Sequence, residues 1–376
     1  MSFTSVGVFV LGAIVGALVE LVITVTFEDT ARLWYRRTGR ILRWLVSLLR
    51  TKMYPLSYDL FQIGKWMTNC IILEGYGETY YSAYRIVCHL DSDSLVLPQD
   101  LALLRDDVSR QQEEIKRRQG HSSYYNGPMV AFIDYSITRT AIYEDPLLYL
   151  RFKPTDYYTF LATSMCLRET IPSRNGLSTT VWEKYLSATD LRKPTPFMAT
   201  SFGVNLAVVT SDGYLVIGKR GHRGLSHYRD HLQVPICESV HPYMDSMDGS
   251  RIDIHKTAIR GAKEELGVEV KSDEVRFFSL CVDTTFYLYG LTGVIYMEAV
   301  TKHDIISRRS IGIKDKWEIS ELFYLRLDPK EIVLALKNMG GPSLWHPASF
   351  VSVVQTLVNL FGVSLVEDSF KTIHPG

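Results

Sequence analysis

Two adjacent carboxylates and one arginine in the second half of the chain have the types and spacing for phosphate or metal chemistry. Glu264 and Glu265 follow Arg260 within the segment 258–268. Because Arg260 precedes Glu264 by four residues, the two side chains can pair on a helix. Carboxylates can hold a hard divalent cation such as Mg²⁺, which in turn binds phosphate. The alternative is that these charges form an ordinary solvated helix face.

The apolar residues of the same segment predict the helix that positions these charges. Ile259, Ala262 and Leu266 recur at the spacing of one helix face. Gly267 then stands where a helix stop belongs, and a strand is predicted from Val268 onward. The carboxylates are therefore predicted to lie on a short amphipathic helix that ends at a glycine.

The segment resembles the second half of a Nudix box, whose pattern is G-x5-E-x7-R-E-U-x-E-E-x-G-U with U an aliphatic residue. The matching residues are Arg260, Ala262, Glu264, Glu265, Gly267 and Val268. Gly261 stands where the pattern has a metal-binding glutamate, Ile252 stands at the upstream glutamate, and Ser246 replaces the opening glycine. A loop at 241–251 is inserted before the helix, and Glu238 before that loop is a further candidate carboxylate.

This resemblance implies a Nudix-like fold whose hydrolytic metal site is damaged. In the family pattern the glutamate missing at Gly261 and the one matching Glu265 hold the metal together. We therefore expect little Mg²⁺-dependent hydrolysis, and Gly261→Glu is expected to restore part of the metal binding. Glu264 and Glu265 are the candidate metal ligands, with Mg²⁺ possible and no cofactor required.

A strong hairpin pattern precedes the box and places basic residues near it. Two strand-like runs, 201–210 and 214–220, flank the turn Asp212–Gly213. Nudix domains begin with such a hairpin followed by an arginine, and clustered bases there suit phosphate contact. The alternative is a solvated basic loop. The candidate ligand-binding residues, including weaker candidates for base stacking, are Lys219, Arg220, Arg223, Arg139, Tyr157, Tyr158, Glu238 and Arg260.

The N-terminal segment Val6–Phe27 is nearly all apolar and long enough, as a helix, to span a bilayer. Arginines follow it, so the positive-inside rule predicts a cytoplasmic C-terminal portion. Gly12, Gly16 and Glu20 recur every fourth residue and predict a self-association seam; the alternative places Glu20 among solvated headgroups. Residues 28–53 predict a basic amphipathic helix on the membrane, the alternative being packing against the soluble domain.

Composition sets limits on the partners of the chain. The 376 residues carry equal numbers of acidic and basic side chains, so the chain as a whole is no DNA-binding polycation. The 5 cysteines show no metal-ligand spacing and indicate a reducing compartment. The predicted organisation is a transmembrane helix at 1–27, a juxtamembrane amphipathic helix at 28–53, a connecting α/β segment at 54–120 and a Nudix-like domain at 121–376.

The fold class predicted from these patterns is α/β, more exactly an α+β Nudix-like mixed sheet flanked by helices, preceded by one transmembrane helix and one basic amphipathic helix. This combination resembles the transmembrane-Nudix effectors of bacterial CBASS anti-phage signalling. The resemblance implies a single-pass inner-membrane protein whose cytoplasmic domain binds a cyclic oligonucleotide, assembles into a homo-oligomer and disrupts the membrane. The alternatives are a membrane-anchored Mg²⁺-dependent Nudix hydrolase of nucleoside diphosphate derivatives, and a tether with an inactive fold.

Overall fold

The computed structural model describes residues 59–139, 146–172, 178–221, 227–312 and 318–372. From Asp59 onward these residues belong to one compact unit. The strands are β1 (Gln62–Ile63), β2 (Trp66–Met67), β3 (Cys70–Glu74), β4 (Ile86–Leu90), β5 (Pro128–Arg139), β6 (Pro146–Asp156), β7 (Thr170–Pro172), β8 (Ser178–Thr180), β9 (Phe202–Val209), β10 (Tyr214–Arg220), β11 (Leu232–Gln233), β12 (Ile236–Ser239), β13 (Arg251–Ile252), β14 (Val275–Asp283), β15 (Leu288–Tyr296) and β16 (Ile319–Arg326).

Eight α-helices accompany these strands in the described residues. They are α1 (Gln99–Gln119), α2 (Tyr157–Ala162), α3 (Val181–Tyr185), α4 (Ile254–Gly261), α5 (Lys302–Ile311), α6 (Pro329–Asn338), α7 (Pro347–Phe361) and α8 (Val363–Thr372). Short 3₁₀ turns occur at Ala83–Arg85, Ser164–Cys166, Ser272–Glu274 and Pro342–Leu344, and a π-helical turn, Ala262–Leu266, continues α4.

The largest sheet contains both parallel and antiparallel strand pairs, and two of its neighbouring strands separate near the candidate site. Its strand order is β11-β10-β9-β15-β14-β3, with β12 also paired to β9 and β16 to β10. β15 runs parallel to β9, and the other pairs are antiparallel. β9 and β10 pair only at Leu215–Val209 and Val216–Val208. Beyond that point β12 takes the place beside β9 and β11 the place beside β10. We call this opening between β11 and β12 the sheet split.

The hairpin β9–β10 forms where the sequence predicts it. Gly213 has a φ of 79°, a left-handed conformation that glycine adopts without strain. Its backbone N–H donates to the carbonyl of Thr210 at 3.0 Å and closes the turn. The predicted hairpin is therefore confirmed, and its second strand leads directly to the sheet split.

Helix α7 covers the large sheet and closes its core. Phe350, Val353 and Leu357 of this helix are fully buried against sheet residues such as Ala207 and Val294. Burying several such side chains is the main favourable term that holds a helix on a sheet. The helix begins at Pro347 and ends at Phe361.

A second, four-stranded sheet has the order β13-β4-β6-β5. β5 and β6 pair along their whole length, and β4 runs parallel to β6. Aromatic rings join this sheet to the large one, because Phe132 lies 4.9 Å from Phe202 and 5.1 Å from Tyr289 between ring centroids. The two sheets therefore share a core inside one compact unit.

Helix α4 carries the box residues and has well-defined ends. Asp253 caps its first turn by accepting a hydrogen bond from the backbone N–H of His255. At the other end Gly267 has a φ of 70° and closes the π-helical turn. The predicted helix and its glycine stop are confirmed. The strand predicted from Val268 onward is wrong, because those residues form no ladder and Val268 is instead buried in the core.

The predicted fold class is wrong in two respects. The described residues form an eight-stranded, a four-stranded and two two-stranded sheets rather than one flanked sheet, because β5 and β6 pair with each other and with β4. Within the same residues no helix has the length and apolar character needed to cross a membrane. The predicted span Val6–Phe27, its seam residues Gly12, Gly16 and Glu20, and the segment 28–53 all lie outside the described residues.

Candidate functional site

Arg260 is the centre of a hydrogen-bonded cluster of carboxylates beside the sheet split. Its Nε and one terminal nitrogen donate to the two carboxylate oxygens of Asp245 at 3.0 and 2.9 Å. Its other terminal nitrogen donates to Glu238 at 2.7 Å and lies 3.6 Å from Glu264. A further bond of 2.8 Å reaches the carbonyl of Ser239. The pairing of Arg260 with Glu264 is therefore confirmed, and the guanidinium is held by the protein itself.

Asp245 comes from the inserted loop and was not among the residues that the sequence singled out. Its side chain is 1% exposed. Besides Arg260 it accepts hydrogen bonds from the backbone N–H of His241 and the hydroxyl of Thr257, each at 2.8 Å. These hydrogen bonds attach the loop to helix α4 through the buried side chain of Asp245. No periodicity in the sequence connects an aspartate in this loop to the arginine it binds.

Glu238, on β12, shares Arg260 with Asp245. Burial raises the pKa of Glu238 to about 7, and the nearby Glu264 and Asp245 act in the same direction while Arg260 opposes them. An arginine beside a carboxylate normally lowers its pKa, so burial is the stronger effect here. Glu238 therefore exchanges its proton near neutral pH.

Glu265 has different neighbours from Glu264. Its side chain is 1% exposed, and one oxygen accepts a hydrogen bond of 3.1 Å from the backbone N–H of Cys237. Burial, Glu318 and Glu238 raise the pKa of Glu265 well above its ordinary value. The two candidate metal ligands are thus turned to different neighbours, Glu264 to Arg260 and Glu265 to the sheet split.

The donor groups do not gather around a cation position. In the described ranges no three His, Cys, Asp or Glu residues are arranged to hold a metal ion. Glu264 and Glu238 contact Arg260, while Glu265 is buried against β12. The possible Mg²⁺ site therefore stays a prediction from the sequence.

The place of the missing glutamate is already filled. A Cβ atom at Gly261 would lie 2.8 Å from the Cγ2 of Ile236 and 3.1 Å from the Cβ of Glu238. Side-chain atoms essentially never approach so closely, so even alanine requires β12 to shift. The expectation that Gly261→Glu restores metal binding conflicts with this packing, since a glutamate has no room to point at the site.

Arg220 ends β10 at the mouth of the sheet split. It is 6% exposed, and one terminal nitrogen donates to the Oε1 of Gln233 at 2.5 Å. The ladder between β10 and β16 shifts its register between Arg220 and its neighbour Lys219. Lys219 pairs across the ladder with Glu321. Lys219 is more exposed than Arg220, and Arg223 lies outside the described residues.

A cluster of aromatic rings lies next to Arg220. We call it the five-ring cluster, and its members are His227, Tyr228, His231, Phe286 and His346. Ring centroids within it approach to 4.7 Å, the distance between Tyr228 and His346. Burial and the nearby Arg220 lower the pKa of His227 to about 3 and that of His346 well below its ordinary value. These two histidines are therefore neutral aromatic rings near pH 7.

The three remaining candidates are separated from one another. Tyr157 begins α2 and contacts Phe160, whose ring lies 5.9 Å from His227 of the five-ring cluster. Tyr158 is held by its hydroxyl and backbone to the segment 124–126. Arg139 lies at the far end of β5, roughly 30 Å along the strand from the α2 side. Among the described residues, ring contacts connect Tyr157 to the five-ring cluster through Phe160.

Comparisons with known proteins leave the family of the chain open. No family model matches it, and no curated protein matches it. Among solved structures, the crystal structure of DR0079 from Deinococcus radiodurans matches at 16% identity, covering 48% of this chain and 95% of that chain with a TM-score of 0.28. A likeness of this size carries no conclusion about fold or function.

Proposed function

We propose that this protein binds a phosphorylated nucleotide, of the cyclic oligonucleotide class, at the sheet split and does not hydrolyse it. One observation carries the proposal. Gly261, the position that would complete a hydrolytic metal site, has no room for a side chain because Ile236 and Glu238 pack against it. At the same split, Arg220 and Glu265 are buried, and each carries a polar atom without a hydrogen-bond partner in the described part of the chain. A site that has lost part of its set of metal ligands but keeps buried hydrogen-bonding groups without partners is suited to binding without turnover.

The absence of turnover follows from how the carboxylates are used. Metal-assisted hydrolysis needs several carboxylates aimed at one cation that polarises the phosphate. Glu238 and Glu264 contact Arg260 instead. Glu265 is the box carboxylate that faces the split, and a single carboxylate is a weak ligand set for Mg²⁺.

The nucleotide class is supported by the resemblance and by the groups at the split. The segment around Arg260 resembles a Nudix box, and Nudix pockets accept phosphorylated nucleotides. The buried guanidinium of Arg220 offers a charge-assisted donor, which binds phosphate or base acceptors more strongly than a neutral donor does. The neighbouring five-ring cluster offers aromatic surface of the kind on which nucleobases stack.

The proposal extends to assembly of the receptor unit. In the anti-phage effectors that the chain resembles, a cyclic nucleotide drives the receptor domains together. A ligand can do this only if it binds the assembled state more tightly than the single copy. We therefore expect ligand-bound copies to associate into a homo-oligomer. The predicted disruption of a membrane depended on residues outside the described part of the chain and forms no part of this proposal.

The test is calorimetric titration of the full-length chain with cyclic dinucleotides and cyclic trinucleotides. Arg220→Ala should weaken binding by about 10- to 150-fold, since a hydrogen bond to a charged group contributes about 1.5 to 3 kcal/mol. Lys219→Ala is the matched control, because it removes the adjacent cation, which is more exposed than Arg220, and should leave the affinity unchanged. Arg220→Met keeps the buried volume, so it distinguishes a loss of ligand affinity from a loss of folding. Equal losses for Lys219→Ala and Arg220→Ala would show that the ligand binds elsewhere.

A further inference from the structure

One side of the four-stranded sheet is exposed along its central strands. Exposed residues alternate with buried ones along β4 and β6, as expected for a sheet with one solvated side. We call this side the outer face, and its members are Arg251 on β13, Val87 and His89 on β4, Tyr149 and Arg151 on β6, and Asp134 and Ser136 on β5. Because a sheet can keep such a face in water, the chemistry of these side chains decides whether the face is an interface.

The strand register aligns four members of the outer face in one row across the sheet. His89 is the register partner of Arg251 on one side and of Arg151 on the other. Asp134 is the register partner of Arg151 on the last strand of the sheet. The row therefore begins with an arginine at the β13 edge and ends with an aspartate at the β5 edge, roughly 14 Å away at about 4.8 Å per strand.

Apolar side chains lie beside this charged row. Tyr149 is the register partner of Val87, and the two side chains are 40% and 37% exposed. The inserted loop widens the face, because the backbone N–H of Met247 donates to the carbonyl of Arg251 at 2.8 Å and the Met247 side chain is exposed. Tyrosine, methionine and arginine are the residues that protein–protein interfaces favour, so the composition of the outer face suits a protein partner.

Both arginines of the row are held in place by carboxylates of the same copy. Arg151 donates from its Nε and one terminal nitrogen to the two oxygens of Asp91 at 2.9 and 2.8 Å. Arg251 contacts Asp248 through its Nε and one terminal nitrogen at 2.7 and 2.6 Å. A guanidinium has five N–H donors, so each arginine keeps donors for a second acceptor. Fixing the two side chains before association lowers the entropy cost of binding.

A second copy of the chain complements the charges of this face. A two-fold axis that lies between two facing sheets and runs along the strands exchanges the two edges of the sheet. Arg251 then lies opposite Asp134 of the second copy, and this contact occurs twice in each pair of copies. His89 lies opposite Arg151 of the second copy, whose planar guanidinium can stack on the imidazole ring. Aligned packing of this kind is a common arrangement of two sheets.

We infer that the outer face is the surface through which two copies of this chain associate. In the same arrangement Tyr149 lies opposite Val87 of the second copy, which gives the interface an apolar centre. The inference rests on the proposed function for the expectation that copies assemble, and it names the surface that they use.

The size of the outer face limits the strength of this contact. The four strands and the loop span roughly 25 Å, and five residues of β4 span about 17 Å. Two such faces bury on the order of 1,000 Å², which is the lower limit for a specific interface. The free chain therefore associates weakly, with a dissociation constant in the micromolar range.

The inserted loop connects the outer face to the candidate site. The backbone carbonyl of Asp245, whose side chain binds Arg260, accepts a hydrogen bond of 2.9 Å from the backbone N–H of Asp253. Asp253 follows β13 directly and caps helix α4. The strand that carries Arg251 is thus tied to the segment that holds Arg260. A ligand that binds the paired copies more tightly than the single copy shifts the equilibrium toward the pair.

The experiment reverses the charge at each end of the row. Arg251→Asp leaves acidic groups at both edges, and Asp134→Arg leaves basic groups at both edges. Each variant alone then places like charges opposite each other and should associate at least about 10-fold more weakly than the parent. An equimolar mixture of the two variants should recover the parental dissociation constant, because every facing pair again has opposite charges. Sedimentation velocity of the full-length chain over a concentration series measures these constants.

Two further variants serve as a control and as a test of the apolar centre. Arg110→Asp reverses an exposed arginine of another ion pair, with Asp107 on helix α1, and should leave the dissociation constant unchanged. Tyr149→Glu should weaken association at least about 10-fold, since it places a charge against an apolar side chain. Recovery of association in the mixture shows that both charge-reversed variants are folded.

Three outcomes overturn the inference: a parent chain that stays monomeric through the micromolar range, association that neither charge reversal weakens, and a mixture that does not recover. Calorimetric titration of the same samples with cyclic di-AMP and a cyclic trinucleotide separates this inference from the proposed function. If a cyclic nucleotide binds while the mixture does not recover, the outer face fails and the proposed function stands. If the mixture recovers while no cyclic nucleotide binds, the association surface stands and the proposed function fails.

Discussion

Asp245 and Arg260 are joined by two parallel hydrogen bonds of 3.0 and 2.9 Å. This pair ties an inserted loop to the helix that carries the box residues. Its consequence is that the box arginine, with Glu238 as its second partner, is fully engaged inside the protein. We therefore expect the arginine to hold these carboxylates in place.

Asp245→Ala should strongly destabilise the protein. Arg260 keeps Glu238 as a partner but loses its two hydrogen bonds to Asp245, and breaking a buried ion pair costs up to about 3 to 5 kcal/mol. The hydroxyl of Thr257 also loses its acceptor. Chemical denaturation measures the free energy of unfolding. Asp248→Ala, in the same loop but paired on the surface with Arg251, is the control and should have a far smaller effect. Similar losses for the two variants would contradict the buried role of Asp245.

Gly261→Ala should also destabilise the fold, although alanine is the better helix former. The new Cβ would meet Ile236 at 2.8 Å, and overpacking of this kind costs about 1 to 3 kcal/mol. Combining it with Ile236→Ala removes the clashing atom, so the double variant should lose less stability than the sum of the single variants. If the losses of stability of the two single variants simply add in the double variant, the contact at Ile236 has no energetic cost, which would contradict the packing argument. Gly261→Glu should give no Mg²⁺-dependent turnover.

Glu238 should contribute stability that falls as the pH rises toward neutrality. Its pKa is about 7 in the folded chain against an ordinary value of 4.5. The folded state therefore holds the proton more tightly, and the stabilisation from this group is fully present below about pH 4.5 and lost as the pH rises through about 7. Over this pH range the stabilisation lost from Glu238 amounts to up to about 3 kcal/mol.

Glu238→Gln tests this dependence, because the amide keeps an acceptor for Arg260 but does not titrate. The groups facing Glu238 are Arg260, Glu264 and Asp245, which remain in the variant. The free energy of unfolding of the variant, relative to that of the parent, should rise between pH 4.5 and 7.5. Glu269→Gln, an exposed carboxylate paired with Lys263, should keep the parental slope. If Glu238→Gln keeps it as well, burial of Glu238 does not control its titration.

The local features of the site followed from the sequence because they depend on neighbours within a few residues. The helix of Arg260 and its stop at Gly267 follow from apolar spacing and a terminal glycine. The turn at Asp212–Gly213 follows from residue type alone. Each of these features is present in the structure.

The contacts that decide the chemistry join residues far apart in sequence. Asp245 binds Arg260 across an insertion, and Gln233 binds Arg220 from another strand. The blocked position of Gly261 depends on the packing of Ile236. Spacing rules contain no information about such contacts. The sequence therefore indicated a weakened metal site without showing that Ile236 and Glu238 occupy the place of the missing glutamate. The second sheet was missed for the same reason, since β4 and β6 pair across more than a whole helix.

The central claim is that the site binds a nucleotide and leaves it intact. The most direct measurement uses one sample for both quantities: the full-length chain with Mg²⁺ and a panel of cyclic oligonucleotides and nucleoside diphosphate derivatives. Calorimetry gives the affinity, and ³¹P NMR follows the ligand over hours. We expect saturable binding of a cyclic oligonucleotide with an unchanged phosphorus spectrum. Conversion of any panel member at ordinary enzyme rates, of order 1 to 10³ per second, would contradict the account and identify a hydrolase.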